Sequence, residues 1–196
     1  LYDRQRKQYQ IARQNVQIIN RKCHELKVQT ADLRRLQPDE AATQSLDEAE
    51  QAARMYDANA ATGNEVLDVV LTEKSLLCEA QRIRLNCVAD GTCLAAIEPG
   101  DLYALFSNLL DQAIDAAAQQ QNDRRMIDLL VCRRQGFAVI NVIGPALSGS
   151  QSDHGRRHSY ELKVARRVVQ KYSGAMATEP RRELFAVKIV LPLTRG

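Results

Sequence analysis

From Tyr9 to Leu33 the chain repeats in strict steps of three and four, through Tyr9, Ala12, Val16, Ile19, Cys23, Leu26, Thr30 and Leu33. A helix with that period carries one continuous stripe that stays in register with a second helix along its whole length, which is the pattern of a coiled-coil seam. The stripe therefore predicts dimerisation. With Cys23 at an a position, His24 falls at b, outside the seam and toward solvent, and Glu25 follows it at c. An imidazole on a paired helix beside a carboxylate is a chemically usable arrangement, although on helix geometry alone most exposed histidines do nothing. Pro38 ends this first helix near Gln37, since it disfavours helical geometry in the residue before it and donates no backbone hydrogen bond. Pro38, Asp39 and Glu40 then open a second helix to about Ala61, with Leu46, Ala49, Ala53, Tyr56 and Ala60 on one face. Two antiparallel helices doubled by the seam predict a dimeric four-helix bundle over residues 1–61.

The remainder changes period. Thr62-Gly63-Asn64 reads as a hinge, and Val66, Leu67, Val70, Leu71, Lys74 and Leu77 restore helical spacing to about Ala80. Ile83, Leu85, Cys87 and Ala89 alternate as a half-buried strand does, Asp90-Gly91 signals a turn, and Leu94–Ile97 reads as a second short strand. Pro99 to Gln119 is the best helix of this half, with Leu102, Leu105, Phe106, Leu109, Leu110, Ala113, Ile114 and Ala117 facing inward. Strands follow over Met126–Arg133 and Phe137–Ile143, joined at Gln135-Gly136. A Gly/Ser-rich loop then leads into a helix over Tyr160–Tyr172 that stops at Gly174. The chain closes on a hairpin, Ala175–Thr178 with Leu184–Leu191. Helices and mostly antiparallel strands in this order predict an α+β chain whose residues 62–196 form a two-layer α/β sandwich.

Composition narrows the function classes. A hydrophobic share of 45% and a charged share of 26%, with no long apolar run, argue against a membrane span. The chain begins with Leu1 and a polar stretch, as a fragment of something longer would, and carries no signal-peptide core there. A net charge of +3 is too small to argue for a nucleic-acid surface. Five cysteines without CxxC spacing fit reduced thiols in a cytosol better than a disulfide framework.

Three segments in order then become recognisable: Asn20-Arg-Lys-Cys-His-Glu-Leu-Lys27; Thr62-Gly-Asn-Glu-Val-Leu-Asp68 with Leu71-Thr-Glu-Lys-Ser75; and Asp101-Leu-Tyr-Ala-Leu-Phe-Ser-Asn-Leu-Leu-Asp-Gln-Ala-Ile-Asp115. Together they resemble the cytoplasmic part of sensor histidine kinases of two-component systems, in the subgroup of the Gram-positive peptide-pheromone receptors. The resemblance implies a dimerisation and phosphoacceptor hairpin followed by a gyrase-type (Bergerat) GHKL ATPase domain that uses ATP and Mg2+. It implies that His24 is the phosphoacceptor and that Glu25 orients it and takes its proton. It also implies a homodimer, a response regulator as partner, and attachment to a membrane through an upstream sensor region.

The same resemblance marks departures. The family's helix carries two asparagines one turn apart, which reach the phosphates and the magnesium ion; this chain has Asn108 at the first position and Gln112 at the second. The extra methylene of Gln112 displaces the metal-binding oxygen, against the strict octahedral geometry of magnesium. Ser159 and Glu161 stand where the family has the glycines of its lid, and Glu161 adds a charge that repels phosphate. Of Asn141-Val-Ile-Gly-Pro145, Gly144 is the nucleotide-contact residue carried over. These substitutions leave open a second reading, a catalytically degenerate, dimeric interaction module with weak or no ATP binding. A nucleic-acid module built on the basic 156–171 segment rests on charge alone and loses to both. His154 and His158 have the spacing that binds zinc on a helix, but Gly155 between them reads as loop. Asp111 and Asp115 read as the rim of the nucleotide helix.

Overall fold

A computed structural model describes residues 2–36, 62–121, 124–146, 153–180 and 184–193 of the chain. Its elements run α1 (Tyr2–Leu36), α2 (Glu65–Ala80), β1 (Arg84–Ala89), a 3-10 turn (Gly91–Leu94), α3 (Pro99–Ala118), β2 (Met126–Arg134), β3 (Phe137–Pro145), α4 (Asp153–Lys171), β4 (Ala175–Pro180) and β5 (Leu184–Pro192). The five strands form one mixed sheet in the order β1-β2-β3-β5-β4. Only β1 and β2 run parallel, with Leu85 opposite Ile127; β2–β3, β3–β5 and β5–β4 are antiparallel.

The local causes are visible in the sequence. Asn64 caps α2, its Oδ1 accepting from the N–H groups of Val66 at 3.1 Å and Leu67 at 3.2 Å. The β2–β3 connection is a two-residue turn with both Gln135 (φ 47°) and Gly136 (φ 82°) left-handed, the twist that a tight hairpin needs. At the end of α4 the left-handed residue is Ser173 (φ 54°), not Gly174. Ser173 N–H donates to the Gln170 carbonyl and Gly174 N–H to that of Val169, closing the helix as a Schellman motif. Gly174 is required for another reason: a Cβ there would lie 2.7 Å from the Val190 carbonyl oxygen.

Two expectations need correction. Leu94–Ile97 is not a strand. Asp90 takes the N–H of Thr92 at 3.1 Å and winds the chain into the 3-10 turn instead. The last long helix starts at Asp153 rather than Tyr160, so Gly155 lies within it. A single glycine costs a helix only about 1 kcal/mol, which its neighbours offset. The expected second helix, Pro38 to Ala61, lies outside the described residues.

The core sits between the helices and one face of the sheet. Leu102, Leu105, Phe106, Leu109, Leu110 and Ile114 of α3 are almost wholly buried, against Ile127, Leu129, Ile140 and Ile189 from the strands. Helix α1 adds a further layer across α2 and α3, burying Tyr9, Ala12 and Val16. Where the period predicted a second copy, this half of the stripe is covered by the chain's own domain. The side chains of Cys23, Leu26, Thr30 and Leu33 lie outside the described residues.

Candidate functional site

Helix α3 separates two cavities. One, of 240 Å³, lies between α3 and the sheet and is walled by Leu109, Gln112, Ala113, Ala116, Val142, Gly144, Pro145, Ala146, Phe185 and Val187. Small residues make it possible: Ala113 and Ala116 leave room on the helix side, and Gly144 approaches closely, with an added Cβ falling 3.6 Å from Ala113 Cβ. A flat, largely apolar slot with one buried amide, that of Gln112, suits an aromatic base better than a charged group.

The second cavity, of 680 Å³, lies between α1 and the opposite side of α3, and here Asn108 joins Glu73, Lys74, Tyr103, Ser107 and Asp111. Asn108 Nδ2 donates to the Ala104 carbonyl at 2.6 Å, which fixes its side chain and leaves the amide oxygen as an acceptor. Asn108 and Gln112, one turn apart, thus open onto different cavities, while Gln112 and Gly144 share one.

Lys74 is buried, and its Nζ lies 2.8 Å from Asp111 and 3.3 Å from Glu73. Burial works against its charge, but the two carboxylates more than offset this and hold its pKa above the ordinary lysine value. Glu73 also accepts from the Tyr103 hydroxyl at 3.0 Å, and burial followed by that carboxylate keeps the phenol protonated well above its usual range. Asp111 is therefore an ion-pair partner, not a bare rim carboxylate. At the other end of α3, buried Asp101 takes Lys171 Nζ at 2.6 Å and the Tyr172 hydroxyl at 2.9 Å, tying the close of α4 to the start of α3.

His24 is exposed on α1, five residues past Ile19, which lines the larger cavity; that is about 7.5 Å further along the helix. Glu25 beside it is bound by Lys22 at 2.7 Å and Arg21 at 3.4 Å, and the hydrogen bond from Lys22 holds its carboxyl below the usual range. The structure therefore brings Gln112 and Gly144 together, places Asn108 on the other cavity, and keeps His24 and Glu25 on a separate element. Lys163, Arg166 and Arg167 are exposed on α4, as a solvated face is. The side chains of His154, His158, Ser159 and Glu161 lie outside the described residues. Among the described residues no group of three or more His, Cys, Asp or Glu side chains gathers as a metal site. Nor is any described helix long and apolar enough to cross a membrane.

Residues 97–192 match the family model of the GHKL domain. That match spans just under half of the chain. The catalytic domain of the histidine kinase ThkA, solved free of nucleotide, has the same fold. One form superposes with a TM-score of 0.51 at 15% identity, over 66% of this chain and 91% of that one. A second gives 0.50 at 16%, over 68% and 94%. The histidine kinase domain of a blue-light-activated kinase from Erythrobacter litoralis aligns over 92% of this chain and 95% of its own at 14% identity, with a TM-score of 0.46. No curated protein matches. GHKL ATPase domains in general bind ATP with magnesium.

The apolar cavity suits the two components unequally. Its lining would accept a base. For magnesium, α3 offers the neutral amide of Gln112 in this cavity and that of Asn108 in the other, and the nearest carboxylate on the helix, Asp111, is already held by Lys74. A magnesium ion here would depend on phosphate oxygens for most of its ligand charge. Gln112 and Gly144, singled out by the family resemblance, line this cavity together with Ala116, Phe185 and Val187, whose apolar character is indistinguishable from that of core residues without the fold.

Proposed function

We propose that the chain is the cytoplasmic part of a sensor histidine kinase, in which an ATP bound beside Gln112 and Gly144 gives its γ-phosphoryl group to His24. The phosphoryl group then passes to an aspartate of a response regulator. The observation that carries this reading is the small-residue pocket between α3 and the sheet, in a GHKL domain, packed against the helix that displays an exposed imidazole.

In this reading one ring nitrogen of neutral His24 attacks the γ-phosphorus as the bond to the β–γ bridging oxygen breaks and ADP departs. The ring loses the proton on its other nitrogen, and Glu25 is placed to accept it once it exchanges one of its partners, Lys22 or Arg21. Gln112 would hold magnesium, which supplies charge neutralisation on the phosphates when bound. The seam of α1 would complete the enzyme as a homodimer, attached to a membrane through a sensor region upstream.

Titration of the chain with MgATP in a thermal-shift assay is expected to give saturable stabilisation, about 2.7 kcal/mol at a hundredfold excess over Kd. Incubation with γ-labelled ATP should then label the wild type and not His24→Gln. Stabilisation without label would leave a nucleotide-binding interaction module, and label surviving in His24→Gln would move the acceptor elsewhere. Gly144→Val, which fills the slot, should abolish the stabilisation while leaving the unliganded fold intact.

A further inference from the structure

We propose that the stripe Tyr9–Ala12–Val16 is a shared docking face, exchanged between the chain's own α2–α3 surface and the same stripe on a second copy of α1. Cis docking and dimerisation then exclude each other, and the docked chain is the resting, monomeric arrangement. The inference stands on packing and goes beyond the phosphotransfer reading.

The sequence assigns these three residues to a/d positions of a seam that runs on through Ile19. In the folded chain they are already spent: Tyr9, Ala12 and Val16 are 8, 6 and 7% exposed, and the Tyr9 ring lies 5.8 Å from that of Tyr103 on α3. A side chain enclosed in this way cannot also enter a hole on another helix. Arg13, next to the seam at an e position, pairs with Glu65 of α2 at 2.6 Å, although in a zipper that position faces the partner helix. The backbones meet as well, since a Cβ on Gly100 would lie 4.0 Å from Arg6 Cα.

The face of α1 left open does not offer a substitute. Ile11 and Ile18 are 57 and 59% exposed, but they stand seven apart with Gln14 and Asn15 between them, which is no three-four seam. A dimer that seats Tyr9, Ala12 and Val16 in its seam therefore requires α1 to leave the domain. That departure also uncovers Tyr103 and the side of α3 that bears Asn108.

The test uses the full chain in a Cys23→Ser background, which removes cross-links along the seam. In Arg6→Cys/Gly100→Cys the two side chains come within reach of a disulfide. Sedimentation equilibrium without nucleotide should find the oxidised protein monomeric at concentrations where the reduced protein dimerises. Glu65→Arg, an exposed change on the domain, should tighten the dimer about two- to fivefold by weakening the docked state. The proposal is overturned if the pair does not cross-link within one chain, if oxidised and reduced forms associate alike, or if Glu65→Arg leaves the dimer constant unmoved. Because no nucleotide is present, failure of the phosphotransfer reading would leave this result standing, and the reverse also holds.

Discussion

The GHKL domain and α1 are held by quite different means. In the domain, α3 threads fully buried side chains such as Leu105, Phe106 and Leu110 between two other helices and a five-stranded sheet, so each residue is fixed from several directions. Helix α1 touches that body through one stripe of three buried side chains and an exposed ion pair, and continues past the contact to His24. The cavity between α3 and the sheet inherits the rigidity of a core, whereas the imidazole rides on an element held by a much thinner attachment. A reaction that needs a fixed donor and a movable acceptor is served by that division.

The largest expected effect breaks the domain side. Phe106→Ala removes a wholly buried ring and should cost about 3–5 kcal/mol, read as a fall in the urea midpoint. Because α1 docks on α3, protection of the amides around Tyr9–Val16 should be lost in the same transition.

The second effect sharpens the contrast through pH. Burial pushes the Cys78 thiol, on α2 beneath the sheet layer, up to about 11 from 9.0. A raised folded-state pKa contributes stability that is fully present below pH 9 and is lost as pH rises through 11, because the unfolded chain ionises first. Thermal melts should therefore fall across that window, by up to about 2 kcal/mol, and Cys78→Ala should flatten the slope. Docking of α1 at Tyr9–Val16 has no part in that thiol, so undocking variants should keep the slope.

How much of this was legible beforehand follows the same division. Helix α3 was readable almost to the residue, because Pro99 opens it and its apolar spacing is unbroken; the β2–β3 turn was readable because Gln135-Gly136 leaves few alternatives. The family resemblance also joined Gln112 with Gly144, which wall one cavity, and the heptad period set His24 on an exposed helix face. Period alone misread the Leu94–Ile97 segment, where the hydrogen bond that the Asp90 carboxylate accepts from the Thr92 N–H decides the geometry. It also could not say what covers Tyr9, Ala12 and Val16, since a seam records only that a partner exists. The pairing of Lys74 with Asp111 joins residues far apart in the chain, so no local signal marks it.

On the α1 side the expected effects are smaller and local. Val16→Ala removes two methyl groups from the docked face and should weaken docking by about 1 kcal/mol. Hydrogen exchange should show α1 opening more readily while the urea midpoint of the domain holds. An equal loss in both would mean that α1 is part of one cooperative core.

Glu25→Gln carries the smallest stability change of all. Its partners Arg21 and Lys22 are exposed, and surface pairs of this kind, screened by solvent, contribute little to stability. Melting and docking should be indistinguishable from wild type. If Glu25 takes the proton of His24, however, the rate of labelling from γ-labelled ATP should fall about a hundredfold or more, the usual worth of a positioned base. Glu25→Asp, which retains the carboxylate on a shorter stem, should recover part of it. A rate that stays unchanged in Glu25→Gln would assign the residue to the charge pattern of the helix alone, and solvent would then be the proton acceptor, as the exposure of His24 already permits.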